Sequence, residues 1–117
     1  PASRPDRTGL PIQIHAGQSP IEYQRVLSTQ GKTTVEYLRD TGLLGSDFII
    51  GHGQCMTADG DISMSADEVA ALRDTSICHL PWDKARRGGA INSIQKYQDL
   101  GIHQCIGTDT YPFDLCN

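Results

Sequence analysis

No apolar stretch of this sequence approaches the ~20 residues that a bilayer-spanning helix needs. A basic excess is missing too. The formal net charge is −4, the wrong sign for a surface that holds nucleic acid or anionic lipid. No two of the four cysteines (Cys55, Cys78, Cys105 and Cys116) form a C-x-x-C pair, which argues against a structural zinc knuckle. There is no low-complexity tract, no sequence repeat and no recognisable signal peptide. The chain opens Pro-Ala-Ser-Arg-Pro rather than with Met, so the native start is expected upstream. What remains is a globular chain of 117 residues, 38% hydrophobic, large enough for one core. Cysteines buried as free thiols imply a reducing, cytoplasmic setting.

The chain alternates short β-like runs with capped helix starts. Residues 11–16 alternate apolar and polar side chains and read as a strand. Ser19 is a helix N-cap, with Pro20 at the first helical position and Glu22 completing an S-x-x-E box. Thr33 with Glu36, and Ser65 with Glu68, repeat that box and open two further helices. Between them, residues 47–51 form a continuous apolar run that suits a strand buried on both faces. Residues 55–63 read as a polar loop and 76–80 as a third strand. Residues 81–89 read as a long loop, 91–100 as a helix closed by Gly101, and 102–106 as a fourth strand. Strands alternating with helices imply βαβ crossovers and a parallel sheet. The fold class is therefore α/β. One form is half of a TIM-like (β/α)8 barrel; the other is a small open doubly-wound sheet.

The chemistry sits at the strand ends. His15, His52, His79 and Asp109 each close one of the four strands, spaced by about one βα unit of roughly 30 residues. In parallel α/β folds, sites gather at the carboxyl ends of strands. Any one strand-end histidine is more often a hydrogen-bonded structural residue. Four metal- or proton-competent side chains obeying one geometric rule are a stronger signal. His103 begins a strand, away from that end, and reads as structural.

The segments Ile14-His-Ala-Gly-Gln18, Ile50-Gly-His-Gly53, Cys78-His-Leu-Pro81 and Gly107-Thr-Asp-Thr110 resemble strands five to eight of the amidohydrolase superfamily, in its triazine hydrolase and cytosine deaminase-like branch. The resemblance runs from about Pro11 to Pro112. It implies a single divalent metal, Zn2+ or Fe2+, ligated by His15 and Asp109. It implies His52 beside the activated water and Asp109 as the base that takes the water's proton. It also implies His79 facing the substrate, a small nitrogen heterocycle losing a C–N or C–halogen bond. Metal-acidified water is nucleophilic near neutral pH, and a carboxylate touching it suits a general base.

Three positions depart from the family pattern. No H-x-H pair occurs anywhere. Either the chain is part of a protein about three to four times longer, with the rest of the barrel as its partner, or the metal is incompletely bound. The family's often oligomeric assembly is a further implied partnership. Gln18 stands where the deaminases carry a proton-donating glutamate, and a primary amide does not titrate near neutrality. Asp83-Lys84 replaces a usual Ser-Asn. Trp82 either stacks the heterocycle or packs its own loop; either one of Arg86 and Arg87, Arg86 first, binds an anionic group or both are solvated. A catalytically inactive homologue with a binding or structural role is the competing reading, favoured by Gln18 and the missing H-x-H.

Overall fold

A computed structural model describes residues 10–109 of the chain. Four strands, β1 (Ile12–Ala16), β2 (Phe48–His52), β3 (Ser76–His79) and β4 (Gln104–Ile106), form one sheet. All neighbours are parallel and the spatial order is the chain order. A doubly-wound sheet requires the strand order to reverse, so the sequential order rejects that alternative and agrees with barrel winding. No helix among the described residues is long and apolar enough to cross a membrane.

The helices are α1 (Pro20–Gln30), α2 (Thr34–Asp40), α3 (Ala66–Leu72), α4 (Pro81–Arg86) and α5 (Ile94–Asp99). The boxes expected at Thr33 and Ser65 are both complete. The one expected at Ser19 is only half made. Ser19 Oγ accepts the Glu22 N–H at 3.2 Å, but the Glu22 carboxylate reaches past the cap. It accepts from the Gly17 and Gln18 N–H groups, at 2.8 and 2.9 Å.

Two stretches differ from the sequence reading. Residues 81–89 are not all loop, because Pro81 starts the short helix α4 and Asp83 in its first turn accepts from Arg86 Nε and Arg87 Nε. The helix expected over 91–100 is shorter, since Ser93 caps α5 without a side-chain bond. Likewise only residues 104–106 of the fourth strand join the ladder. Ile102 instead turns into the core, its N–H donating to Tyr97 O at 3.0 Å.

The core lies between sheet and helices, where Phe48, Ile50 and Ile77 meet Val35, Leu38 and Leu72. Tyr97 is fully enclosed there and donates its hydroxyl to Gly53 O at 2.5 Å. The edges are different: Ile12 and Ile14 on β1 and Ile106 on β4 remain exposed, at 37%, 40% and 74%.

Candidate active site

Parallel registration brings His15 of β1 alongside Gly51 of β2. Gly51 is what allows the imidazole to lie there. A Cβ on Gly51 would meet His15 Cδ2 at 2.8 Å, closer than real Cβ atoms approach a neighbour. His52, next in the chain, ends β2 in the left-handed region with φ 72°; Asp109, beyond β4, has φ 70°. Non-glycine residues adopt this conformation rarely, and such strain concentrates at functional sites. Here it turns both side chains toward His15.

The result is a compact group. His15 Nε2 lies 3.4 Å from Asp109 Oδ1, and His52 Nε2 lies 3.8 Å from Asp109 Oδ2. The two imidazoles meet edge to face, centroids 4.8 Å apart and planes at 89°. His15, His52 and Asp109 each offer one ligand atom, all within 4.8 Å of one another. His52 is 1% exposed while the His15 side chain is 47% exposed, so the group is closed on one side and open on the other. Burial pushes the His52 pKa down; the Asp109 charge opposes this and the neighbouring His15 adds to it. The shift favours the neutral imidazole, the form that binds metal or accepts a proton.

The donor set fits a divalent ion. Atoms that share an ion ~2 Å away lie within ~4 Å of each other; both histidine–aspartate pairs do, and the widest separation in the group is 4.8 Å. His52 Nε2 is also buried without a hydrogen-bond partner among the described residues, an orphan that a metal would satisfy.

A cleft of about 510 Å³ opens beside His52. Gln18, Gln54, Asp83, Lys84 and Arg87 help to line it. Gln18 follows the Gly17 turn (φ 65°) that Glu22 clamps, so its entry into the cleft is fixed from behind. The other expected site residues lie outside this group. His79 is 1% exposed, and its Nε2 bonds Gln104 Oε1 at 2.6 Å with Tyr97 beside the ring. Trp82 is half-buried, its Nε1 without a partner among the described residues. Arg86 turns to Asp83 rather than to the cleft. His103 pairs through Nδ1 with Ser76 Oγ at 2.9 Å.

Gln54 and Gly51 were not singled out from the sequence; of the two arginines named there, Arg87 lines the cleft and Arg86 does not, and Lys84 lines it as well. Helical geometry explains the difference, because within one turn of α4 only some residues face the cleft. The glycine flanking His52 was the available signal for Gly51.

Sequentially wound parallel strands with a His/His/Asp group at their carboxyl ends define a barrel-type α/β protein with a metal-competent site. The chain belongs to the amidohydrolase family, whose profile matches residues 4–113. Among curated proteins it is 35% identical over 104 residues to a 5-methylthioadenosine/S-adenosylhomocysteine deaminase of Thermococcus sibiricus. It is 32% identical over 104 residues to a 5'-deoxyadenosine deaminase of Methanopyrus kandleri. Each match covers 89% of this chain and 23% of the relative, so the chain spans about a quarter of those proteins. The fold matches a crystal structure of an adenosine deaminase from Xanthomonas campestris with bound zinc. That match has a TM-score of 0.68 at 19% identity and covers 86% of this chain and 21% of that one.

Proposed function

We propose that this chain supplies part of a metal-dependent hydrolytic site that removes an amino group from a nitrogen heterocycle, an adenosine-type purine being the nearest candidate. The observation that carries this reading is the convergence of His15, His52 and Asp109 from three strand ends. The deaminase names of the relatives support the substrate class. His15, His52 and Asp109 would hold a divalent ion, zinc before iron, which when bound supplies Lewis acidity and acidifies water. Free thiols at Cys55, Cys78 and Cys105 support a cytosolic setting.

The chain's own groups then divide the work. An Asp109 oxygen accepts the proton of the attacking water, and the same carboxyl returns it to the departing nitrogen. Buried His52, favoured in its neutral form, presents Nε2 beside Asp109 as a ligand and not as a proton donor. Gln18 holds the ring by hydrogen bonds from the cleft wall but donates no titratable proton. Glu22 does not replace it, because backbone N–H groups occupy both carboxylate oxygens. That leaves Asp109 as the proton carrier, or favours a leaving group such as halide that departs without one.

Ammonia release from 5'-methylthioadenosine by the full-length protein tests this. We expect turnover by wild type, a fall of about 10²-fold or more in Asp109→Asn, and faster release in Gln18→Glu. No release from this or any other aminopurine, with turnover of the matched chloropurine, would shift the assignment to C–halogen cleavage. No hydrolysis of either would leave a binding role.

A further inference from the structure

We propose that the substrate of this site carries an anionic group, and that Lys84 with Arg87 holds it at the cleft beside His52. The inference rests on reading the cleft as a substrate site and adds the charge of the molecule that enters it.

The charge balance of α4 is the first observation. Asp83 is buried, and its Oδ1 accepts from both Arg86 Nε and Arg87 Nε, each at 3.1 Å. One carboxylate thus serves two guanidiniums, and Lys84 has no carboxylate partner among the described residues. Asp83, Lys84 and Arg87 all line the cleft. A chain of net charge −4 therefore places an unbalanced cationic edge beside its candidate site.

The second observation is that the Lys84 stem packs against Gly89. Its stem lies under Gly89, where a Cβ would meet Lys84 Cε at 2.8 Å and Cδ at 3.1 Å. The Gly89 N–H donates back to Lys84 O at 3.0 Å.

The third is unmet hydrogen-bonding capacity at the same place. Lys84 also borders a smaller adjoining hollow with Gln54, Ser93 and Asp61, whose carboxylate is paired with Lys96. Ser93 Oγ, which can donate to an anion, is buried without a partner among the described residues. A hydroxyl donor, an ammonium and a guanidinium together suit a carboxylate or phosphate.

Calorimetric titration of the full-length protein with three ring-matched probes decides the matter: neutral adenosine, adenosine 5'-carboxylic acid and adenosine 5'-monophosphate. At least one anion should bind about tenfold more tightly than adenosine, and the favoured one separates carboxylate from phosphate. The anion-to-neutral ratio should fall to about one in Lys84→Ala and partly recover in Lys84→Arg. Equal affinities for the three probes, including none at all, overturn the inference. So does a preference that survives Lys84→Ala combined with Arg87→Ala. Hydrolysis of adenosine without any anion preference defeats this inference alone. A Lys84-dependent preference without hydrolysis of any probe defeats the hydrolase reading alone.

Discussion

His15 and Gly51 show how narrowly one residue can be fixed by the absence of atoms on another. Gly51 has no left-handed backbone to protect, so alanine there meets no conformational objection. Its only conflict is with His15 Cδ2. Gly51→Ala should therefore destabilise the full-length protein by about 1–3 kcal/mol, the usual cost of overpacking. In a His15→Ala background the same change should cost nothing or stabilise slightly. A double-mutant cycle by urea denaturation reads this coupling. Equal costs in both backgrounds would show that the glycine serves something other than the imidazole.

At this scale the sequence is legible for residue type and blind to side-chain direction. His15, Gly51, Cys78 and Cys105 are register partners and share one face of the sheet. His79 has the opposite parity: it pairs with Ile106 and shares a face with Ile77, whose side chain is in the helix-side core. Period-two alternation thus directs His79 to Gln104 and Tyr97. His52 shares parity with Ile50, yet it reaches Asp109 because its φ is positive. No spacing rule reveals which strand-end residue will take the left-handed conformation.

Among the elements, one carboxylate joins two helix starts. Glu68 accepts from the Ser65 N–H and hydroxyl at α3, at 2.8 and 2.9 Å. It also accepts from the Thr33 hydroxyl, the N-cap of α2. Burial pushes the Glu68 pKa up, but the hydrogen bonds from Thr33 and Ser65 outweigh it, and the net shift is downward. A carboxylate with a depressed folded pKa stabilises above its unfolded value of about 4.3 and loses that contribution as pH falls through the folded value. Glu68→Gln should cost about 1–2 kcal/mol at pH 7 and progressively less below pH ~4. Thermal melts across that range check the sign; a gap that stays constant from pH 7 to pH 3 contradicts it. The box itself was readable as S-x-x-E. Its link to Thr33 was not, because the partner is 35 residues away. The short helix α4 was hidden for a different reason, since six residues rich in charge and followed by a glycine pair carry no apolar period.

Across the whole molecule, a parallel sheet ordinarily buries both faces, and a closed barrel also pairs every edge. Among the described residues β1 and β4 each have one neighbour and carry exposed isoleucines, while the middle strands are closed in. The half-barrel reading accounts for this unevenness, and so does the quarter-length coverage of the relatives. The central claim is that three strand ends spread along this chain act as one ligand group. Metal content of the full-length protein, measured by mass spectrometry after dialysis against chelator, tests it most directly. The account predicts about one divalent ion per chain in wild type and clear loss in each of His15→Ala, His52→Ala and Asp109→Ala, with folding retained by circular dichroism. Undiminished, chelator-resistant metal in those three variants would contradict it.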